Sequence, residues 1–282
     1  MLKTIKERIS DFIAQMYTRA TYVGNNRVLV RTKYRGRTIV YLVEADDLLI
    51  TPWFAATGQY EISVRNYLAD HLKPDSHCLD IGANFGYFTC LMARFCPAGK
   101  VIGVEADQRI AKLARENLAI NNLAHNGSVI HAAAGDSDQE IILYRRITRS
   151  GNTSIIVYDE NFTTHMGEPP AERFSVKGIR IDDLAEEFGG RVDFIKIDVE
   201  GAEPLALRGA ARTITANPQL TIMMEWSPGQ IVAAGLDLDR FVTEMEELGL
   251  VFYNVEPKHP VRLSRDELLN IPYMAGIVMK RD

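Results

Sequence analysis

The sequence predicts an α/β fold in which a largely parallel sheet is covered by helices on both faces. Three observations carry this prediction. From residue 77 onward short apolar runs alternate with helical patterns, a glycine-bearing turn joins the first run to a helix, and several later runs end in an acidic residue. Strands buried between two layers of helices are apolar throughout, and ligands of such sheets bind at the carboxyl ends of the strands.

Seven strands and five helices follow from this alternation of apolar patterns. The strands are placed at 77–81, 100–105, 128–133, 192–197, 220–225, 250–255 and 274–280. The helices are placed at 86–95, 107–122, 181–188, 202–216 and 237–248. A loop rather than a long helical crossover joins the last two strands, which permits an antiparallel final strand.

Residues 1–60 are predicted to form an appendage of one helix and a small β-hairpin, and residues 61–282 the main domain. Residues 2–20 carry apolar side chains at helical spacing, and the runs 27–30 and 38–43 flank a turn that contains a glycine. An apolar stripe of this kind packs on its own domain, on a second copy of the chain in a homodimer, or on a membrane surface.

Residues 136–180 interrupt the alternation of strands and helices. Two strand-like runs, 141–144 and 154–158, flank a predicted turn at Gly151 and Asn152, and a polar loop with two prolines follows. An insertion of this length beside a ligand crevice is typical of a substrate wall. We therefore expect it to shape one side of the binding site.

Composition and charge exclude several classes of protein. The 282 residues carry a formal net charge of −5, and no basic block marks a nucleic-acid surface. Three cysteines (Cys78, Cys90 and Cys96) lack metal-site spacing and predict reduced core thiols of a cytoplasmic protein. With no secretion signal and no long apolar run, we expect neither export nor a transmembrane segment.

The turn after the first strand is the most informative segment. Gly82 and Gly86 allow a sharp turn and close contact with a ligand, and Asn84 tolerates a left-handed conformation. The carboxylate of Asp80 would repel the pyrophosphate of a dinucleotide, which argues against a dehydrogenase. An aminoacyl group with an ammonium suits this turn better, and S-adenosylmethionine carries one. Glu105, at the end of the next strand, is placed to accept hydrogen bonds from both ribose hydroxyls.

Asp198 and Glu225 end two later strands and are candidates for catalysis. Both are expected at the carboxyl edge of the sheet, in the same crevice as the glycine-bearing turn. Together they can orient a hydroxyl, accept its proton, or hold one divalent cation such as magnesium or manganese. The sequence leaves these three roles open, because two acids are too few to specify a metal.

Other titratable residues give weaker signals. Glu200 and Glu203 suit the N-terminus of a helix, and for Glu203 this structural interpretation is preferred. His131 lies inside a predicted strand and is interpreted as structural, whereas His165 and His259 lie in loops and are weak candidates for a base.

Three blocks of sequence stand in a recognisable order. They are Asp-Ile-Gly-Ala-Asn-Phe-Gly-Tyr-Phe-Thr at 80–89, Val-Glu-Ala-Asp at 104–107 and Asp-Phe-Ile-Lys-Ile-Asp-Val-Glu-Gly-Ala-Glu at 193–203. Together they resemble the FkbM-type S-adenosylmethionine-dependent methyltransferases, over roughly residues 60–280. The third block is the most specific, while Ala-Asp-Gln at 106–108 departs slightly from the Pro-Asp-Pro pattern frequent in the family.

The resemblance implies the class I methyltransferase fold, a Rossmann-like and mostly parallel sheet of seven strands. It also implies methyl transfer to a hydroxyl of a small-molecule acceptor, either a sugar or glycan or a natural product. The turn would line the methionine part of the cofactor, Glu105 the ribose, and residues 133–136 the adenine. The expected cofactor-binding residues are Asp80, Gly82, Asn84, Gly86, Tyr87, Phe88, Thr89, Glu105, Ala106, Ala134, Asp136 and Asp198.

Two other functions agree less well with the sequence than this enzyme does. A non-catalytic structural or regulatory subunit should show a broken cofactor turn or lost acids at the strand ends, and here both are intact. A nucleotide-base methyltransferase would carry an Asn/Asp-Pro-Pro-aromatic motif after the fourth strand and a basic groove. This chain has Asp-Val-Glu-Gly at 198–201 and a net negative charge.

Overall fold

A computed structural model describes residues 9, 12, 15–157, 169–255 and 260–282. Its strands are β1 (Arg19–Gly24), β2 (Arg27–Tyr34), β3 (Arg37–Glu44), β4 (Cys78–Ile81), β5 (Val101–Glu105), β6 (Gly127–His131), β7 (Ala133–Ala134), β8 (Glu140–Arg146), β9 (Arg149–Ser154), β10 (Glu172–Ile179), β11 (Phe194–Ile197), β12 (Thr221–Trp226), β13 (Val251–Asn254), β14 (Val261–Leu263) and β15 (Met274–Lys280). Its helices are α1 (Thr51–Thr57), α2 (Ile62–His71), α3 (Tyr87–Phe95), α4 (Gln108–Ile120), α5 (Ile181–Glu186), α6 (Glu203–Arg208), α7 (Ala211–Ala216), α8 (Pro228–Ala233), α9 (Leu238–Glu247) and α10 (Arg265–Leu269).

The central sheet has eight strands in the order β14-β13-β15-β12-β11-β4-β5-β6. The five strands from β12 to β6 in that order are parallel, and β15 runs antiparallel to both of its neighbours. The predicted antiparallel final strand is therefore present. The predicted count of seven is one short, because β14 is a three-residue edge strand, too brief to produce a recognisable apolar period.

The pairing of β4 with β11 creates the crevice of the sheet. Asp80 lies opposite Lys196, and Ile81 lies opposite Ile197. At the end of this pair the Asp198 amide donates to the Ile81 carbonyl at 2.9 Å. The turn that follows β4 and the loop that follows β11 therefore lie side by side at the carboxyl edge, where open α/β sheets bind ligands.

Helices cover both faces of the central sheet, as the apolar strands predict. One buried cluster packs Trp226 and Phe241 against one face, and a second packs Leu91 and Phe54 against the other. The helix predicted over 202–216 is in fact two helices, α6 and α7. They part next to Gly209, where an added Cβ would lie 2.0 Å from the Gly135 carbonyl oxygen, so the backbone passes too closely for one regular helix.

The N-terminal segment forms a three-stranded sheet in the order β1-β2-β3. The predicted hairpin is β2 and β3, but the helix predicted over 2–20 is wrong at its C-terminal end, because β1 begins at Arg19. Most of that helix lies outside the described residues. Ile9, Phe12 and Met16 are helical, and their side chains are 51%, 62% and 58% exposed.

Two asparagines of α4 fasten this sheet to the main domain. The Asn117 side-chain amide exchanges hydrogen bonds with the backbone of Leu42 at 2.7 and 2.9 Å, and Asn121 does the same with Val40. Asn117 also donates to the Phe85 carbonyl at 2.7 Å. These amides act as a partner strand for β3, so its edge is covered. The division at residue 60 stays a prediction.

Residues 136–180 contribute most of a four-stranded sheet in the order β7-β10-β8-β9. The hairpin turn lies at 147–148, and Gly151 and Asn152 belong to β9 instead of the turn. Strand β10 was not among the predicted strands. Its side chains alternate between the two faces of the sheet. Within the described residues no helix is long and apolar enough to cross a bilayer.

Candidate active site

A cavity of about 500 Å³ opens at the carboxyl edge of the central sheet. It follows the ends of four neighbouring strands, in the order β5, β4, β11 and β12. Because adjacent strands lie about 4.8 Å apart, the cavity runs along the sheet edge for a distance suited to an extended ligand. The N-terminal segment and β9 form the opposite wall.

The glycine turn (residues 82–86) forms the floor of this cavity next to β4. The amides of Gly82 and Ala83 both donate to the Val104 carbonyl at 2.9 Å. Gly82 has φ +79°, and an added Cβ would lie only 1.7 Å from the Asp198 carbonyl oxygen. Only glycine fits there, so the turn and the loop after β11 are in direct backbone contact.

Asn84 and Gly86 complete the turn in left-handed conformations, with φ of 47° and 82°. The Asn84 side-chain oxygen accepts the Phe85 amide at 2.8 Å, which stabilises the turn from within. At Gly86 an added Cβ would lie 3.0 Å from the Ala114 side chain of α4. This close approach seats the N-terminus of α3 against α4.

Glu105 lines the cavity at the end of β5. One carboxylate oxygen accepts the Asn84 amide and the other accepts the Asp107 amide, both at 2.8 Å. Burial raises the pKa of Glu105 to about 7, although these two hydrogen bonds favour the charged form. Each oxygen keeps a second lone pair, so the carboxylate can still accept hydroxyl protons from a ligand.

Asp80 lies beneath the cavity and does not line it. Its side chain is fully buried and accepts the Thr89 hydroxyl at 2.6 Å, while the other oxygen has no hydrogen-bond partner among the described residues. Burial raises the pKa of Asp80, and the Lys196 ammonium opposes this shift. Asp80 therefore supports the turn from below.

The other expected cofactor residues divide into two groups. Those that line the cavity are Gly82, Asn84, Tyr87, Phe88, Glu105, Ala106, Ala134 and Asp198. Those that lie outside the lining are Asp80, Gly86, Thr89 and Asp136. Gly86 faces Ala114 of α4, Thr89 is bonded to Asp80 beneath the cavity, and Asp136 is exposed to solvent.

Three carboxylates meet at the other end of the cavity, beside β11 and β12. Asp198, Glu200 and Glu225, which we call the acid cluster, each offer an oxygen within 4.8 Å of the others. The sequence predicts Asp198 and Glu225 at this site and no role there for Glu200. The backbone of Glu200 is left-handed, with φ 54°, a conformation that no sequence pattern predicts.

Burial and the repulsion of nearby carboxylates raise the pKa values of Glu200 and Glu225. Burial is the main cause for Glu225, whose pKa rises to about 10, and the neighbouring carboxylates of Asp198 and Glu200 add to it. For Glu200 the same causes raise the pKa to about 8. Tyr273 donates to Glu225 at 3.0 Å, and Gln230 donates to Glu200.

Lys196 supplies a buried positive charge below the acid cluster. Its ammonium lies 3.0 Å from an Asp198 carboxylate oxygen and 4.8 Å from the centre of the Phe88 ring. Burial favours the neutral amine, but the carboxylates of Asp198, Glu61 and Asp80 outweigh it and raise the pKa of Lys196. The charge of Asp198 is thus compensated directly.

Glu203 has the structural role that its sequence position indicates. It is 1% exposed, and its carboxylate accepts the amides of Val199 and Gly201 at 3.1 Å. Burial raises the pKa of Glu203 to about 7. His131 is 3.1 Å from the Ala106 carbonyl through Nε2, which suits a structural residue. His165 and His259 lie outside the described residues.

Asp47 joins the N-terminal segment to β9 at the mouth of the cavity. Its carboxylate accepts the amides of Leu49 and Ile50 at 2.9 and 2.6 Å, and the Ser150 amide at 2.7 Å. Leu49 and Ser150 both line the cavity. Nearby, Trp53 also lines it and is 60% exposed, so the rim is apolar.

Several residues that line the cavity were not predicted from the sequence as site residues. They are Tyr60, Glu61, Trp53, Lys196, Gln230 and Tyr273. Lys196 lies within the most specific block of the resemblance. It stands on β11, two residues before Asp198, and this position is a sequence signal for a site residue. The others come from segments whose position relative to the sheet is not encoded in any local pattern.

Comparison with known proteins gives the family. A family model described as "Methyltransferase FkbM domain" matches residues 80–252. The methyltransferase sdnD of Sordaria araneosa is 24% identical over 218 residues, which span 67% of this chain and 83% of that protein. The 2-O-methyltransferase NoeI of Sinorhizobium fredii (strain NBRC 101917 / NGR234) is 31% identical over 161 residues, or 51% of this chain and 60% of that protein.

Solved structures give a weaker likeness. The methyltransferase FkbM from Methylobacillus flagellatus KT aligns with a TM-score of 0.44 and 16% identity over 80% of this chain and 51% of its own. The O-methyltransferase from Bacillus cereus in complex with SAH aligns with a TM-score of 0.45 and 15% identity, over 84% of this chain and 90% of its own. The match of the family model extends from β4, through the glycine turn and the acid-bearing loop after β11, to β13. The chain therefore belongs to the FkbM methyltransferase family.

Proposed function

We propose that this protein transfers a methyl group from S-adenosylmethionine to a hydroxyl of a small-molecule acceptor, either a sugar or glycan or a natural product. One observation carries the proposal. A single cavity holds Glu105 at one end, the glycine turn in the middle and the acid cluster at the other end. These groups suit the parts of the reaction: Glu105 suits the ribose, the glycine turn the aminoacyl chain, and the acid cluster the acceptor hydroxyl that meets the methyl group. The relative NoeI is a 2-O-methyltransferase by name, which supports an oxygen acceptor.

The residues of the cavity fit the cofactor. Glu105 keeps free lone pairs for ribose hydroxyls, Ala106 and Ala134 offer an apolar surface for the adenine, and the turn at Gly82 has no side chain in the way. When bound, S-adenosylmethionine supplies a methyl group on a sulfonium, which is already a strong electrophile. The remaining task of the protein is to hold the acceptor oxygen and to remove its proton.

Asp198 and Glu225 divide that task in this proposal. The Asp198 carboxylate lies 3.0 Å from the Lys196 ammonium and can accept the hydroxyl proton. The raised pKa of Glu225, about 10, means that this group holds a proton at neutral pH. It can then donate a hydrogen bond that orients the acceptor, with Tyr273 fixing its position. Such help from an acid and a base contributes roughly 10²–10⁴-fold to a rate.

A second form of the proposal adds a divalent cation. Asp198, Glu200 and Glu225 present oxygen ligands only, which suit magnesium or manganese. A cation there would favour the charged carboxylates and polarise the acceptor hydroxyl. A chelator separates the two forms. The metal-free form keeps its rate, and the metal-dependent form loses it and regains it with magnesium or manganese.

The proposal is tested by binding and turnover in matched variants. Asp198→Asn and Glu225→Gln should bind S-adenosylhomocysteine within about threefold of the native affinity, yet transfer methyl groups roughly 100-fold more slowly. Calorimetry gives the affinities, and mass spectrometry of sugar, glycan and polyketide-alcohol acceptors gives the rates. Glu247→Gln, an exposed glutamate on α9, is the control. Full turnover in both site variants would remove the acids from the mechanism. A protein that binds the cofactor but methylates none of these acceptors would be the non-catalytic, cofactor-binding alternative.

Two further expectations belong with this proposal. The exposed side chains of Ile9, Phe12 and Met16 support a homodimer through the N-terminal appendage, and sedimentation of the full chain would test it. The free and buried thiols of Cys78, Cys90 and Cys96 support a cytoplasmic location. We propose no nucleic-acid partner, since the net charge is negative.

A further inference from the structure

Glu61 is a cavity-lining carboxylate that lies outside the segment matched by the family model. It occupies the position before α2, and its backbone is left-handed with φ 36°. A non-glycine residue in this conformation is strained, and such strain is concentrated at functional sites. The Arg65 amide donates to the Glu61 carbonyl at 2.9 Å, so the first turn of α2 fixes the residue where it is.

Aromatic packing places Glu61 above the glycine turn. The ring of the preceding residue, Tyr60, lies 5.9 Å from that of Phe85, 5.4 Å from that of Tyr87 and 5.9 Å from that of Phe88. These rings belong to the turn and to the first turn of α3. Tyr60 thus packs against the N-terminal turn of α3, and the adjacent residue, Glu61, lines the cavity.

Among the described residues, no cation lies within ion-pair distance of the Glu61 carboxylate. One carboxylate oxygen is buried with no hydrogen-bond partner among the residues that the structure describes. Tyr60 hydrogen-bonds to the carboxylate, and burial raises the pKa of Glu61 to about 7. The nearby Lys196 ammonium is already paired with Asp198 at 3.0 Å. An anion buried in this way attracts a cation.

Asp80 cannot receive an ammonium in the cavity, although its place in the sequence suggested this role. It is 0% exposed, lies beneath the lining and is bonded to Thr89. Glu61 instead lines the cavity, near the charged side chains of Lys196, Asp198 and Asp80 on and after the paired strands β4 and β11. In the first turn of α3, a helix of nine residues, the Thr89 amide is bonded to Asp80, and the amides of Tyr87 and Phe88 offer a place for an anion close by.

We propose that Glu61 binds the α-ammonium of the aminoacyl end of the cofactor, while the N-terminus of α3 receives its carboxylate. This inference rests on the proposed function and deepens it. The zwitterion of an amino acid needs one anionic and one cationic receptor a few ångströms apart, and Glu61 with α3 supplies that pair. The cofactor site is then completed by a segment that precedes the matched family domain.

The test compares two ligands in two variants of the full chain. S-adenosylhomocysteine carries the ammonium, and its analogue without the amino group does not. The native protein should prefer the first by roughly 10- to 100-fold, as expected for a hydrogen bond between charged groups. In Glu61→Gln this preference should fall to within about threefold. In Glu225→Gln, which removes another carboxyl from the same cavity, the preference should stay at the native value. Calorimetry measures all six affinities.

A further variant and a stability measurement separate binding from structure. Glu61→Asp keeps the charge but shortens the side chain by one methylene. The preference of this variant for S-adenosylhomocysteine over the analogue without the amino group should therefore be intermediate. Glu61→Gln should unfold at the native temperature or above, because a buried charge has been removed. An unchanged ligand preference in Glu61→Gln would overturn the inference while leaving the proposed function in place. Failure of the native protein to bind S-adenosylhomocysteine would instead overturn the proposed function.

Discussion

At the scale of single residues, burial decides what each acid can do. Asp80 and Glu105 end neighbouring strands, yet Asp80 is bonded to Thr89 under the floor while Glu105 lines the cavity. Glu105 also holds the turn, because it accepts the amides of Asn84 and Asp107. One carboxylate therefore shapes the site and remains able to bind a ligand.

The role of Glu105 can be measured through the ribose. Glu105→Ala should weaken binding of S-adenosylhomocysteine by roughly 10- to 100-fold, since hydrogen bonds from two hydroxyls to a charged acceptor are lost. The native protein should also prefer this ligand to its 2′-deoxy analogue, and the variant should not. Calorimetry with both ligands separates loss of the ribose contact from disturbance of the turn. An equal preference in the native protein and the variant would contradict the ribose assignment.

At the scale of elements, one aspartate links two parts of the chain that form the mouth of the cavity. Asp47 accepts amides from its own segment and from Ser150 of β9, and the Leu48 amide donates to the Thr148 carbonyl at 2.8 Å. The insertion and the N-terminal segment are thus one wall. Arg145 of β8 adds a second contact to the main domain, because its guanidinium lies 3.3 Å from the carboxylate of Asp107.

Removal of this link should loosen the acceptor side of the site. Asp47→Ala leaves buried amides without acceptors, at about 1–3 kcal/mol for each unsatisfied group. The amides of 149–154 should exchange faster with solvent, and KM for the acceptor should rise while the affinity for S-adenosylhomocysteine stays near the native value. The adjacent Asp46→Ala, which removes an exposed carboxylate, is the matched control. Native exchange rates in the Asp47 variant would show that the hairpin stands without this link.

At the scale of the whole molecule, several carboxyl groups in and beside the cavity have raised pKa values. Burial is the largest cause of a raised pKa at each of Glu61, Glu105, Glu200, Glu203 and Glu225. The folded chain therefore holds protons that the unfolded chain releases just above its ordinary carboxyl pKa. A site of this kind is stabilised by a cationic ligand.

This arrangement predicts an unusual dependence of stability on pH. A carboxyl whose pKa rises from 4.5 to about 7 on folding, as for Glu105, stabilises the folded state below pH 4.5 relative to higher pH. That contribution, about 3 kcal/mol for one such group, is lost as the pH rises to about 7. The free energy of unfolding should therefore fall between pH 5 and 8. Urea denaturation without ligand and with a chelator measures it, and Glu61→Gln should make the slope shallower. Stability that rises across this range would contradict the pKa shifts.

The central architecture follows from local properties of the sequence. Apolar runs of four to six residues, glycines at turns and helical periods are local properties, and local geometry follows from them. The strands at 77–81, 100–105 and 192–197, the turn at 82–86 and the acids at 198 and 225 could all be predicted for that reason. The order of these segments along the chain was sufficient to bring the predicted acids to one edge of the sheet.

The depth at which each side chain is buried, and the distant segments that complete the site, depend on tertiary contacts. Asp80 is hidden because α3 turns over it, and Glu61 enters the cavity because Tyr60 packs on that same helix. The short strand β14 exists through its pairing with β13, and β9 reaches the cavity through Asp47. Each of these features is a contact between residues far apart in sequence, and no local period or turn signal specifies such a contact.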